Sequence, residues 1–103
     1  MTVHQKTKFF CLNQWHSASE LIDLEVVPLW ISDVQKVVRF CLNNEKSLAF
    51  STSGSTGKNK ILEHNRTTLF ASASATIDYF DLKPGNIALL CLPAKFTGGA
   101  MMI

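Results

Sequence analysis

The residues best suited to chemistry form one polar decapeptide, residues 51–60, with the sequence STSGSTGKNK. Gly54 and Gly57 allow backbone N–H groups to approach an anion closely, and five serine or threonine hydroxyls add further donors. Lys58 and Lys60 contribute positive charge. This composition suits the binding of a polyphosphate group. On composition alone, a flexible surface connection explains the decapeptide equally well.

The decapeptide does not have the Walker A spacing, in which four residues separate the first glycine from Gly-Lys and a Ser or Thr follows. Its two glycines lie too close together, and Lys58 is followed by Asn59, which has no hydroxyl group. The pattern therefore disfavours a P-loop NTPase.

The order strand, helix, strand should hold the decapeptide in place. Residues 47–50 are a short strand candidate before it. After it, Asn65 can cap a helix, with His64 exposed to solvent beside the cap. That helix has one apolar face, made of Leu69, Ala73, Ile77 and Phe80. The apolar residues 87–92, between a Pro-Gly turn and Pro93, predict a strand buried on both faces, as in a parallel sheet with a crossover helix.

The first half of the chain predicts one strand and two helices. Residues 8–12 are a short strand candidate, and Ser17 and Glu20 have the spacing of a helix capping box. The helix that follows should end before Pro28. A second, amphipathic helix is predicted by apolar residues at helical spacing: Trp30, Val34, Val37, Val38, Cys41 and Leu42.

Cysteine and tryptophan residues give no sign of a further site. Cys11, Cys41 and Cys91 each lie in an apolar run, which predicts buried, reduced thiols. We interpret Trp15 and Trp30 as core or interface residues and not as groups that stack on a ligand. No His or Cys spacing resembles that of a metal site.

The composition of the 103 residues is that of an ordinary globular domain, with 47% hydrophobic and 17% charged residues. The net charge is +2, and no basic stripe could follow a nucleic-acid backbone, which disfavours nucleic-acid binding. The early apolar run is too short for a signal sequence or a membrane span, so we predict a cytoplasmic protein. Because the apolar residues 98–103 end without a cap or polar tail, we predict that residues 1–103 are a single, partial domain.

Residues 52–60 resemble the phosphate-binding signature of the adenylate-forming (AMP-binding) superfamily, which includes acyl-CoA synthetases and peptide-synthetase adenylation domains. That signature reads Ser/Thr-Ser-Gly-Ser/Thr-Thr-Gly-x-Pro-Lys. Residues 52–60 match it at every defined position except residue 59, where this chain has Asn and the signature has Pro. The loss of Pro should leave the loop more flexible, and it removes no phosphate ligand. The resemblance implies that the following residues bind ATP phosphates: Thr52, Ser53, Gly54, Ser55, Thr56, Gly57, Lys58 and Lys60.

A second motif supports this resemblance. Residues 92–99, LPAKFTGG, are similar to the downstream family segment LPxxHxxG. Phe96 replaces the frequent His at a position that borders the acyl-substrate pocket in the family, so Phe96 and Gly98 are candidate pocket residues. Within the superfamily, the chain most resembles the o-succinylbenzoate–CoA ligases of menaquinone biosynthesis. This resemblance depends on the early position of the loop in the chain, on Leu92-Pro93-Ala94 and on residues 99–102.

The resemblance implies an α/β fold: a partial three-layer fragment of an adenylate-forming N-terminal domain, with mostly parallel strands and crossover helices. It also implies ATP-dependent activation of a carboxylic acid through an acyl-adenylate and transfer to coenzyme A, with Mg²⁺ as a cofactor. No residue is a candidate general base or nucleophile. Three later elements of the family are absent from these residues: the aromatic-Gly-x-Thr-Glu segment, the Thr-Gly-Asp segment that holds ribose, and the lysine of the C-terminal domain. We therefore expect the chain alone to be inactive.

Two alternatives to a ligase stay open. One is a non-catalytic α/β module that binds a phosphate or a nucleotide. The other is a structural α/β domain that self-associates through exposed apolar edges.

Overall fold

The computed structural model describes residues 7–51 and 60–103. The elements of this part of the chain are, in order, β1 (Lys8–Cys11), β2 (Gln14–Ser17), α1 (Ala18–Asp23), α2 (Leu29–Leu42), β3 (Ser47–Ser51), β4 (Ile61–Asn65), α3 (Arg66–Phe80) and α4 (Thr97–Ala100). The predicted α/β class is confirmed.

Strands β1 and β2 form an antiparallel hairpin in which Lys8 pairs with Ser17. Leu12 and Asn13 make the connection with φ values of 50° and 68°. Two consecutive residues with positive φ are typical of a type I′ turn, whose twist matches that of paired strands. The predicted first strand is confirmed. Strand β2 was not predicted, because its sequence QWHS lacks an apolar pattern.

Helix α1 begins at the predicted capping box. The hydroxyl of Ser17 accepts a hydrogen bond from the backbone N–H of Glu20 at 3.2 Å, and the Glu20 carboxylate accepts one from the N–H of Ser17 at 3.0 Å. The buried side chain of Gln35, on α2, donates to the carbonyl oxygens of Leu21 and Leu24 at 2.9 and 3.0 Å. These two hydrogen bonds fasten α2 to the end of α1.

Helix α2 has the predicted length and supplies much of the core. Its buried apolar residues are Ile31, Val34, Val37, Val38 and Phe40. Trp30 and Leu42 are exposed instead, as is Trp15 on β2, so neither tryptophan is a core residue. The apolar face is therefore rotated slightly from the predicted one.

Strands β3 and β4 form a second antiparallel hairpin, with Ser47 opposite Asn65 and Ser51 opposite Ile61. Strand β3 is buried at alternate residues, Leu48 and Phe50, which face α2 and the core. The expectation of mostly parallel strands is wrong for the described strands, because each pairs with its neighbour in sequence through a hairpin. Parallel pairing occurs at one isolated bridge between Ser51 and Phe96.

Helix α3 begins at the predicted cap, where Asn65 Oδ1 accepts a hydrogen bond from the N–H of Thr68 at 2.8 Å. Leu69 is its buried residue, and Phe80, predicted on the same face, is exposed. His64 was predicted to be exposed and is half-buried, because its ring lies 5.7 Å from that of Phe50. Helix α3 is thus held mainly at its N-terminal end.

Residues 87–92 are not the buried strand that their composition predicts. They form neither helix nor strand, and Ile87, Leu89 and Leu92 are 88%, 80% and 50% exposed. A strand buried on both faces needs neighbouring strands and covering helices, and the described residues provide neither here. The prediction of buried thiols is also wrong for Cys91, which is exposed, whereas Cys11 and Cys41 are partly buried.

Candidate nucleotide-binding site

The β3–β4 hairpin holds both ends of the predicted phosphate-binding loop. Ser51 pairs with Ile61 at the end of the ladder, so the chain leaves β3 and enters β4 at adjacent positions. Lys60, directly before β4, is exposed. The other predicted phosphate ligands lie outside the described residues: Thr52, Ser53, Gly54, Ser55, Thr56, Gly57 and Lys58.

The second motif contacts the start of this loop. The backbone N–H of Ser51 donates to the carbonyl oxygen of Lys95 at 2.9 Å, and Ser51 forms a parallel bridge with Phe96. A tight turn presents these residues, since the N–H of Phe96 donates to the carbonyl oxygen of Pro93 at 3.3 Å. Two motifs that are separate in the sequence therefore meet at Ser51.

Phe96 is half-buried, and the ammonium group of Lys95 lies 5.0 Å from the centre of its ring. This distance is within the range of a cation–π interaction. Gly98 is exposed on α4, whereas Gly99 is buried against the backbone of Leu92 and Pro93. The position of Lys95 gives the loop region a positive charge that the motif comparison did not identify, because Lys95 occupies an undefined position of the motif.

A cavity of about 250 Å³ lies between α2, β3 and residues 94–95. Ser51 and Ile61, which flank the loop, both line it, and so do three charged residues: Asp33, Lys36 and Lys95. Phe96 and Gly98 do not line this cavity, so their role in a substrate pocket stays a prediction. Neither Asp33 nor Lys36 could be predicted as a site residue, since a polar pair three residues apart is ordinary on the solvent side of a helix.

Two partly buried thiol groups, those of Cys11 and Cys41, are poor nucleophiles. Burial raises the pKa of Cys41, although the positive charge of Arg66 acts in the opposite direction. Burial also raises the pKa of Cys11. Because the thiolate is the reactive form, a raised pKa makes both thiols weaker nucleophiles near neutral pH. The described residues contain no group of three or more His, Cys, Asp or Glu side chains that could hold a metal ion.

Hydrogen bonds from Ser17 lower the pKa of the Glu20 carboxyl group. This interaction belongs to the capping box of α1. The described residues around Ser51 offer an anion the positive charge of Lys36 and Lys95, which line the adjacent cavity. Among the described residues, this arrangement contains no group prepared for proton transfer.

Comparison with known proteins finds a similar protein among the solved structures. No protein-family model matches the chain. No curated protein matches it either. The fold is similar to the crystal structure of an acyl-CoA synthetase (AMP-forming)/AMP-acid ligase II-like protein from Dyadobacter fermentans DSM 18053, with a TM-score of 0.72 and 28% sequence identity. The match covers 82% of this chain and 25% of that protein.

This chain therefore spans about a quarter of the length of the synthetase that it matches. Among the residues that the structure describes, no helix is long and apolar enough to cross a membrane. The structural similarity supports the superfamily that the two motifs predicted, that of the AMP-forming acyl-CoA synthetases, without distinguishing the o-succinylbenzoate–CoA ligases within it.

Proposed function

We propose that residues 1–103 are part of the AMP-binding domain of an acid–CoA ligase, and that residues 51–60 hold the β- and γ-phosphates of ATP. The observation that carries this proposal is the contact of Ser51 with Lys95 and Phe96. This contact brings the second motif next to the first residue of the loop. The similarity to an AMP-forming acyl-CoA synthetase supports the same assignment.

In the proposed reaction, a carboxylate oxygen attacks the α-phosphorus of ATP, and the bond to pyrophosphate breaks. The thiol of coenzyme A then attacks the acyl carbonyl carbon, AMP leaves, and the thiol proton passes to solvent. The loop contributes to the first step. Its N–H groups, hydroxyls and lysines would stabilise the negative charge that accumulates on the departing pyrophosphate. Because a carboxylic acid is already ionised near neutral pH, this step needs no general base.

Magnesium ions commonly accompany ATP in such reactions and, when bound, would offset part of the negative charge of its phosphates. The described residues offer no set of carboxylates or imidazoles that could hold the metal by themselves. We therefore assign no magnesium ligand to these residues.

The proposed acid is o-succinylbenzoate, which would place the ligase in menaquinone biosynthesis in the cytoplasm. Its support is the resemblance of Leu92-Pro93-Ala94 and residues 99–102 to that group of ligases. The neighbourhood of the coding sequence tests this assignment. Genes for other steps of menaquinone synthesis would support it, and genes for the metabolism of a different acid would contradict it.

The phosphate-binding role can be measured by calorimetric titration of the chain with ATP and with pyrophosphate. We expect Lys58→Ala and Lys60→Ala each to weaken binding about tenfold, since hydrogen bonds to charged groups contribute about 1.5–3 kcal/mol. Lys83→Ala is the matched control, because it removes the same charge from an exposed residue beyond α3, which pairs with Asp81 at 3.3 Å. Affinity that is unchanged in both loop variants would exclude residues 51–60 as the phosphate site.

Two further outcomes separate the alternatives. Phosphate binding that depends on the lysines supports either the ligase or a non-catalytic binding module. The chain alone is expected to release no pyrophosphate from ATP when a carboxylic acid substrate is added. Release that depends on the carboxylic acid would contradict that expectation. If neither ATP nor pyrophosphate binds, the structural, self-associating domain becomes the better account.

A further inference from the structure

The cavity between α2, β3 and residues 94–95 has a charged lining. It has a volume of about 250 Å³, and Lys36, Lys95 and Asp33 border it. In the part of the chain that the structure describes, neither lysine forms an ion pair with a carboxylate. Two cations and one carboxylate give the lining a net charge of +1, so it favours a negatively charged occupant.

The position of Lys95 is fixed by a backbone hydrogen bond and by an aromatic ring. Its carbonyl oxygen accepts a hydrogen bond from the N–H of Ser51 at 2.9 Å, which ties it to the residue where the loop begins. Its ammonium group lies 5.0 Å from the centre of the Phe96 ring. An aromatic face attracts a cation without neutralising it, so the charge of Lys95 stays available to a ligand at the start of the loop.

Lys36 approaches the same space from a different element. It lies on the exposed side of α2, next to the buried Val37. Ser51 and Ile61, which flank the loop, line the cavity together with both lysines. A lysine carries its charge on a long, flexible stem, so both ammonium groups can turn toward a ligand in the cavity. The two cations therefore border the space onto which both ends of the loop open.

We propose that Lys36 and Lys95 form a phosphate subsite in this cavity, which takes the terminal phosphate group of the ligand that the loop holds. The subsite rests on the proposed function, in which the loop binds the β- and γ-phosphates of ATP. A polyphosphate satisfies both observations, because the lining attracts an anion and the ends of the loop border the same space. Asp33 would repel this ligand, so loss of a lysine and loss of Asp33 should have opposite effects.

Calorimetric titration of the chain with pyrophosphate and with ATP tests the subsite. We expect Lys36→Gln and Lys95→Gln each to weaken binding about fivefold, since an exposed cation acts on a nearby phosphate through water. Asp33→Asn should instead strengthen binding about twofold to fivefold, because it removes a repulsive charge. Lys46→Gln is the matched control: Lys46 is exposed and precedes β3 at the end of the hairpin away from the loop, so this variant should bind like the original chain.

Lys95→Arg separates the charge of Lys95 from its packing. Arginine keeps a cation that can lie over the Phe96 ring, so this variant should bind pyrophosphate like the original chain. Equal losses in Lys95→Arg and Lys95→Gln would mean that Lys95 only shapes the turn at residues 93–99, and would overturn its role in the subsite. Both lysines are exposed, and circular dichroism should show that their variants remain folded.

The results separate the subsite from the proposed function. If the loop variants Lys58→Ala and Lys60→Ala bind weakly while both cavity variants bind like the control, the loop holds the phosphates and the subsite is excluded. If only the cavity variants bind weakly, the subsite is retained and the proposed role of the loop fails. Weaker binding after Asp33→Asn would also overturn the subsite. Benzoate serves as a carboxylate probe: if the cavity variants weakened its binding as much as that of pyrophosphate, the cavity would not be a phosphate subsite.

Discussion

Two adjacent glycines of the second motif have very different surroundings. Gly99 is buried, and a Cβ atom there would lie 2.7 Å from the carbonyl oxygen of Leu92 and closer still to that of Pro93. At Gly98, the nearest atom to such a Cβ would be a side-chain carbon of Leu92 at 3.4 Å, an ordinary contact. Only a residue without a side chain fits at Gly99, because the neighbouring atoms belong to the backbone.

We therefore expect Gly99→Ala to lower the free energy of unfolding by about 1–3 kcal/mol or more, as overpacking does. Gly98→Ala should change it by less than about 1 kcal/mol, since the same methyl group meets a side chain that can move and alanine favours the helix. Urea denaturation of both variants measures the difference. Equal stability of the two variants would mean that the turn at residues 93–99 can open without loss to the rest of the fold.

Arg66 explains how the loop hairpin is anchored to the first half of the chain. Its guanidinium group donates to the carbonyl oxygens of Phe40 at 2.7 Å and Cys41 at 3.2 Å, at the C-terminal end of α2. The ring of Phe70 lies 4.4 Å below it. Carbonyl groups at a helix end lack partners within the helix, and a cation there is favourable. The sequence could not predict this contact, because Arg66 and its acceptors lie about 25 residues apart.

At the scale of single elements, the capping box of α1 gives stability that depends on pH. The hydrogen bonds from Ser17 lower the pKa of Glu20, so the folded state favours the ionised carboxylate. Stability from a group with a lowered pKa is complete above its unfolded pKa and is lost as the pH falls through the folded value. For a glutamate, this loss begins below about pH 4.3.

Comparison with Glu20→Gln isolates this contribution, because glutamine still accepts at this position of a capping box but does not titrate. We expect the original chain to be the more stable near pH 7 and to lose this advantage in acid. Glu25→Gln, at an exposed position between α1 and α2, controls for the general loss of a negative charge. If the difference in stability between Glu20→Gln and the original chain did not change with pH, the ionised Glu20 carboxylate would not be the source of the pH-dependent stability.

The elements that the sequence predicts correctly are those with local signals. Capping residues marked the starts of α1 and α3, and helical spacing of apolar residues predicted α2. Strand β4 was missed because its side chains are mostly exposed and its pairing with β3 depends on a partner across the loop. The segment 87–92 was predicted wrongly for the same kind of reason: apolar composition indicates that a strand can be buried, and burial itself requires neighbours.

The candidate site shows the same division between local and distant information. The motifs identified the loop and Phe96 from residue types alone. They did not reveal that Ser51 bonds to Lys95, or that Asp33 and Lys36 of α2 border the adjacent cavity. Those contacts join parts of the chain that are far apart in sequence, and no periodicity or short motif contains that information.

Across the whole molecule, the core is distributed unevenly along the chain. Among the described residues, helices α1 and α2 and strand β3 supply nine of the twelve buried apolar residues, and Leu69, Ala94 and Ala100 supply the others. Helix α3 contributes one of these residues over its fifteen positions. Regions with few buried contacts open at a lower free energy than the core does. The loop hairpin thus lies between a well-packed half and a weakly held helix.

Native-state hydrogen exchange should reveal this difference. We expect the backbone amides of α2 to exchange slowest and those of α3 to exchange at least about tenfold faster, which corresponds to an opening free energy about 1.4 kcal/mol lower. Asn65→Ala removes the cap of α3 and should cost about 1 kcal/mol, so it should accelerate exchange in α3 further. Exchange in α2 serves as the internal control, because its buried face does not depend on that cap. If α3 exchanged as slowly as α2, the two helices would unfold as one unit, and the few contacts of α3 would be sufficient to hold it.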